Sequence, residues 1–495
     1  VRAINKLAGQ TAIYGLPSII GRLLNYLLVP LHTAVFLPER FGVITEMYAY
    51  VAFLVVILTY GMETAYFRYQ SKLEENKGSV FSTVMISLLG STSIFILFTS
   101  LFSSNIASLI DYPENSEYVV WFAFIVGLDA ISSIPLAQLR MENKAIRFAM
   151  VNLLSIFVNI GLNLFWVGYC IPAYEAGTSS ILLDWFYSPE IGVGYVFLAN
   201  LFASSFKFLL LSPQIFKVKG NFDLDLWKKM LLYGAPLLIS SIAIIINENA
   251  DKIMLKWLLI DELGKDQSIA MVGIYGACYK LSIIISLFIQ AFRYAAEPFF
   301  FSQSSDKDAP KVYAKIMNYF VLTCSLIFLA VMFYIDILKY FLANEEYWVG
   351  LHIVPVLLFA NIFLGIFYNL SVWYKLTGMT RYGALIAGIG AVITILMNWW
   401  LIPLFNYTGS AWATFICYLS MVIISFLIGQ KYYKVPYQIK KVGFYLLVAA
   451  LLYFFSLLID TLLSVSVNYV IKTVLILLFA GLGLALEKPK KGIIS

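Results

Sequence analysis

Apolar runs of membrane-spanning length alternate with short polar segments along the whole chain. A transmembrane helix needs ~20 mainly apolar residues. The runs predict helices at about 8–37, 41–67, 79–103, 116–139, 147–170, 191–212, 230–258, 269–300, 312–341, 350–375, 381–404, 408–430, 441–463 and 466–486. The pattern therefore predicts an all-α polytopic membrane protein with 14 transmembrane helices. Hydrophobic residues fill 61% of the 495 positions and charged ones 13%, which excludes an ordinary soluble domain. The first apolar stretch is too long for a signal peptide and lacks a small-residue cleavage site, so it is expected to stay as the first helix.

Charge sets the expected orientation. With the N-terminus in the cytoplasm, the inner loops hold Arg2, Lys6, Arg68, Lys72, Lys77, Arg140, Lys144, Arg147, Lys217, Lys219, Lys228 and Lys229 in the first half. Lys307, Lys311, Lys315, Lys375, Arg381, Lys431, Lys434, Lys440, Lys441, Lys488, Lys490 and Lys491 follow in the second. The outer loops hold only Arg40 and Lys265, with Lys256, Lys339 and Lys472 near outer helix ends. This is a positive-inside distribution, with both termini cytoplasmic and the inner membrane as the expected location. It accounts for the net charge of +6 through contact with anionic lipid headgroups. Basic residues scattered over short loops make no nucleic-acid footprint. Cys170, Cys278, Cys324 and Cys417 are scattered and show no metal or disulfide spacing; His32 and His352 read as helix-end residues. No metal or other cofactor is expected.

The chain repeats itself. Tyr14-Gly15-Leu16-Pro17 opens the first helix, and Tyr233-Gly234-Ala235-Pro236 opens the seventh. Phe41-Gly42-Val43-Ile44 on the second matches Val272-Gly273-Ile274-Tyr275 on the eighth, and Glu63 matches Glu297. Arg147-Phe148-Ala149 and Asn163 on helix five match Arg381-Tyr382-Gly383 and Asn398 on helix eleven. A unit of six helices is even, so both copies start on the same side and are related by an axis along the membrane normal. The expected division is a lobe at 1–212, a cytoplasmic linker at 213–229, a second lobe at 230–430, and an appendage of two helices with a basic tail at 431–495.

Polar stripes cross the apolar helices. Gln10, Tyr14, Ser18, Arg22 and Asn25 share one face of helix one; Ser240, Asn247 and Asp251 share a face of helix seven; Tyr275, Tyr279, Ser282, Ser286, Gln290, Arg293 and Glu297 share a face of helix eight. Such stripes must face protein or a water-filled cavity, because polar groups are costly in hydrocarbon. Arg22 falls near the bilayer midplane, where an arginine costs ~3 kcal/mol on the insertion scale. Two readings stay open: a helix-tying ion pair, or a fixed charge for an anionic substrate, to which a guanidinium fork is suited. The candidate cavity residues are Arg22, Asn25, Tyr14, Ser18, Gln290, Arg293, Tyr279 and Asn247. Asp129, Glu63, Asp251 and Glu297 are candidates for binding a coupling cation, H+ or Na+, or are partners of Arg22, Arg293 or Lys252. Lys252 has Glu248 four positions earlier as a second candidate partner. Pro17, Pro30, Pro236, Pro355 and Pro403 interrupt apolar helices, as static kinks or as bending points.

These residues resemble a family. The YGxP openings, Asn247-x-x-x-Asp251-Lys252-Ile253-Met254-Leu255, Ala291-Phe292-Arg293-Tyr294-Ala295-Ala296-Glu297-Pro298, Leu376-Thr377-Gly378-Met379-Thr380 and Gly409-Ser410-Ala411-Trp412-Ala413 are similar to those of the polysaccharide-exporter (Wzx-like, O-antigen) branch of the multidrug/oligosaccharidyl-lipid/polysaccharide (MOP) flippase superfamily. The resemblance implies two MATE-like lobes. It implies movement of a polyprenyl-pyrophosphate-linked oligosaccharide from the cytoplasmic to the periplasmic leaflet by cation-coupled alternating access. It also implies a basic cavity, in which Arg22 is similar by position to the cavity arginines of lipid II flippases. The further arginines of those relatives have only Arg293 as a counterpart, which weakens lipid II as substrate. Expected partners are the lipid-linked glycan, membrane lipids and a polysaccharide polymerase or ligase, with the protein itself a monomer.

Two other classes compete. An ion-coupled multidrug exporter shares the core but should favour an acidic cavity, against Arg22. A membrane-bound glycosyltransferase needs an extramembrane catalytic loop; segment 171–190 carries only Glu175, Asp184 and Glu190, and no nucleophile or phosphate-loop pattern occurs. The chain is therefore expected not to be an enzyme.

Overall fold

A computed structural model describes residues 19–72, 77–216, 218, 221–304, 306–462 and 464–487. Among them the regular structure is entirely helical. The main helices are α1 (Ile19–Val35), α2 (Pro38–Ser71), α3 (Gly78–Leu101), α4 (Ser116–Met141), α5 (Ala145–Glu175), α6 (Gly194–Ile215) and α7 (Leu224–Leu263). They continue with α8 (Lys265–Gln303), α9 (Ala309–Phe333), α10 (Glu345–Leu376), α11 (Arg381–Tyr432), α12 (Ile439–Leu462) and α13 (Val465–Glu487). Twelve of these are long and apolar enough to cross a membrane, and α1 is a shorter apolar helix. The helix 11 to helix 12 boundary expected near 404–408 falls inside α11, whose backbone leaves the helical region at Asn406 (φ 51°, ψ −136°). The chain reverses there: Ser410 donates to Asn398 Oδ1 at 2.8 Å, a distance that twelve residues of straight helix, ~18 Å, cannot reach. The start of the first predicted helix lies outside the described residues, so the number fourteen is not itself established.

The chain forms two compact units, Lys6–Gly276 and Ala277–Ser495. This division by contact falls within α8, not in the basic segment 213–229. Helix α6 runs to Ile215 and α7 begins at Leu224. The Asp223 carboxylate caps α7 by accepting from the Leu226 amide, and its own amide donates to Thr83.

In the first unit α6 packs on α4 and α5, α3 on α4, and α7 on α2. A core of Met62, Tyr66, Val84, Met85, Ile134 and Met230 joins α2, α3, α4 and α7. Helix α2 breaks at Tyr60 and Gly61, both at positive φ. A Cβ on Gly61 would lie 2.7 Å from the Gly234 carbonyl oxygen, so neither the backbone angle nor the space admits a larger residue. In α5 the segment Leu164–Cys170 is a π-helix, a wider winding often found at functional positions.

In the second unit α10 packs on α11, and α9 carries both α10 and the pair α12–α13. Gly483 of α13 admits Leu322 of α9. Each end of the α12–α13 pair is closed by charge: Lys472 to Asp460 at one end, and Lys441 with Tyr445 to Glu487 at the other, each contact 2.8 Å. Leucine, isoleucine and phenylalanine stay exposed along α3 and α13, as a lipid-facing surface requires.

Candidate functional site

Helix α1 is held to α5 by a polar ladder. His32 Nε2 lies 2.8 Å from Asn163 Oδ1, which only accepts, so this nitrogen carries the hydrogen. Asn163 donates to the Asn159 carbonyl (2.9 Å), and Asn159 donates to Asn25 Oδ1 (3.3 Å). His32 and Asn163 are buried, whereas Asn159 and Asn25 are exposed or partly so. His32 stands in the last turn of its helix, as expected, and is buried there against the start of the π-helix. His352 keeps the expected place, exposed and bonded to Thr408 at 2.9 Å.

Arg22 stands one turn before Asn25 and is exposed. Among the described residues no carboxylate pairs with it, so the helix-tying reading finds no partner there. Tyr14 and Ser18, with Gln10 and Pro17, lie outside the described residues.

The candidate coupling carboxylates all have cationic partners. Asp129 on α4 meets Lys207 on α6 at 2.6 Å, rather than Arg22, Arg293 or Lys252. Next to them Asn200 donates to Tyr48 Oη at 2.8 Å, so α2, α4 and α6 converge on one polar cluster. Asp251 is buried, accepts from Tyr275 Oη at 2.6 Å and pairs with Lys252 at 3.1 Å. Lys252 reaches Glu248 through its backbone carbonyl at 2.6 Å. Asn247 is buried on the same helix, and Tyr279 is half-buried on α8.

Glu63 and Glu297 show the duplication in three dimensions. Glu63 pairs with Arg140, where α4 ends. Glu297 pairs with Lys375, at the end of α10, at 2.7 Å. The two glutamates are 234 residues apart and the two bases 235, close to the displacement that relates Arg147 to Arg381 and Asn163 to Asn398. Each pair lies within its own compact unit. Arg293 also approaches Glu297 (3.6 Å), and its guanidinium sits 4.0 Å above the Tyr368 ring. It is therefore engaged on two sides. Gln290, one turn away, is half-buried with an unbonded Oε1.

Sequence reasoning did not single out Lys207, Glu46 or Asn159. Lys207 stood as one lysine in the apolar run of helix six, a signal in plain view. Glu46 is fully buried against Lys256.

This helical arrangement is a fold shared with solved membrane transporters. It is similar to the lipid II flippase MurJ in an inward closed conformation, with TM-score 0.71, 13% identity, and 96% of this chain and 98% of the other covered. It is also similar to the MATE transporter VcmN of Vibrio cholerae, with TM-score 0.60, 11% identity, and 87% and 98% covered. An inward-facing multidrug resistance MATE family transporter of the MOP superfamily matches with TM-score 0.53, 14% identity, and 87% and 94% covered. No curated protein matches the chain. Residues 7–304 match the family described as Polysaccharide biosynthesis protein, and the chain belongs to that family.

Proposed function

We propose that the protein is a flippase that carries a polyprenyl-pyrophosphate-linked oligosaccharide from the inner to the outer leaflet of the cytoplasmic membrane. The observation that carries this reading is Arg22: an exposed guanidinium without a carboxylate among the described residues, one turn from Asn25, whose amide oxygen accepts from Asn159. A guanidinium binds pyrophosphate oxygens bidentately, and amides bind sugar hydroxyls. Membership of a polysaccharide biosynthesis family supports a glycan substrate over a cationic drug. The polyprenyl tail stays in lipid while the headgroup crosses, and the apolar outer surface of α12–α13 is suited to guide it.

A coupling cation, H+ or Na+, enters this scheme by exchange. Asp129, Glu63, Asp251 and Glu297 each already hold a lysine or arginine. Binding a cation at any of them therefore requires the resident base to move away. Lipid II as the substrate is the second reading, favoured by the similarity to a lipid II flippase over nearly the whole chain. The experiment is leaflet-resolved: in cells carrying Arg22→Ala at normal abundance, polyprenyl-linked glycan should accumulate on the cytoplasmic face. Unchanged outward delivery would overturn the role given to Arg22.

A further inference from the structure

The most deeply buried ion pair in the described residues lies at the helix ends remote from the basic loops. Glu46 of α2 and Lys256 of α7 are 3.1 Å apart and both side chains are 0% exposed. Their polar capacity is used up. Tyr112 Oη donates to Glu46 Oε2 at 2.5 Å and Tyr50 Oη donates to Oε1 at 3.0 Å. Lys256 Nζ donates to the Ile110 carbonyl at 2.8 Å and lies 4.3 Å from the Tyr112 ring centroid. Trp257 closes the group by donating to Tyr50 Oη at 3.0 Å.

A static tie between helices does not need charges. Apolar side chains of the same volume hold a buried contact at least as well, because an ion pair must first be stripped of water. What charges add is a dependence on hydration. Dry, the two attract strongly and exclude alternatives. Once water enters, each is solvated separately and little holds them together.

The neighbouring backbone is suited to such a release. Gly42 is four residues before Glu46, on the same face of α2. A Cβ there would lie 2.0 Å from the Ile269 carbonyl of α8, and one on Gly273 would lie 1.9 Å from the Pro38 carbonyl of α2. Helices α7 and α8 are joined through Gly264 (φ +79°) alone. Lys256 from one arm and Gly273 from the other therefore both rest on the start of α2.

We propose that Glu46 and Lys256 form a charge lock that seats the α7–α8 turn on α2, and that the lock opens when this end of the protein hydrates during the transport cycle. The proposal rests on the transporter reading, not on the identity of the substrate.

Spin labels at Leu37→Cys and Glu262→Cys would report the separation of α2 from the turn. Both positions are exposed, and the native cysteines are buried. In lipid nanodiscs without substrate, the parent should give one short distance. Glu46→Gln and Lys256→Met should each raise a longer-distance population by about tenfold. The exchange E46K/K256E should return the short distance. The idea fails if both single variants keep the parental distribution. Should Lys256→Met not fold, Glu46→Gln decides alone, since its amide keeps the size of the carboxylate. A released lock together with normal glycan delivery in cells that lack the protein would sink the flippase reading and leave the lock standing.

Discussion

Gly273 of α8 sits so close to Pro38 of α2 that any side-chain carbon on it would fall 1.9 Å from the Pro38 carbonyl oxygen. Gly42, its counterpart in the other repeat, meets the Ile269 carbonyl in the same way. Duplicated motifs thus meet each other at equivalent glycines, and the contact tolerates no added atom. Gly273→Val should separate the helices, at a cost of at least ~1–3 kcal/mol. Thermal unfolding in detergent would show a lowered midpoint. Gly443→Ala, where a Cβ meets nothing, should leave it unchanged.

Arg22→Ala should leave stability within ~0.5 kcal/mol, because the side chain is exposed and pairs with no described carboxylate. Outward glycan delivery should nevertheless fall at least about tenfold, the size of one lost charge-assisted contact. Arg22→Lys should recover part of it, since it keeps the charge without the fork. Equal activity of all three forms, assayed in reconstituted vesicles, would contradict the assignment.

The two repeat-related pairs should behave alike. Glu63–Arg140 and Glu297–Lys375 are all partly exposed, so each should contribute only ~0.2–1 kcal/mol. Double-mutant cycles with Glu63→Gln/Arg140→Met and Glu297→Gln/Lys375→Met measure the two couplings. Arg293 also contacts Glu297, so Lys375→Met alone should cost less than Arg140→Met.

Asn163→Ala should cost ~1–3 kcal/mol, because it strands the buried His32 donor. Asn25→Ala removes only the exposed end of the ladder and should shift the unfolding midpoint little. Equal midpoints for the two variants would argue against a stabilising His32–Asn163 contact.

The helices were legible because lipid imposes a single rule, a long apolar run for every crossing. Their ends followed from where that rule stops, as at Ser116–Met141 against an expected 116–139. The duplication was legible because Glu63 and Glu297 kept both type and spacing. Partners were not. Asp129 found Lys207, and Glu46 found Lys256, through contacts between helices far apart in sequence. Helical periodicity orders residues on one helix and says nothing of which neighbour that face meets. Glu46 was masked further by its position near a predicted helix start, where a carboxylate reads as a surface group. The π-turn at Leu164–Cys170 had no signature at all, since seven ordinary apolar residues compose it.

The abrupt reversal at Asn406 has a consequence for how the protein is made. Its two arms are joined by only a few residues around Asn406, and Leu404 and Phe405 at the tip are exposed and apolar. Neither arm can wait in water for the other, so the insertion machinery must release them into lipid as one preassembled hairpin. A soluble reporter or protease site spliced between them would cut that unit in half and stall biogenesis before any question of transport arises.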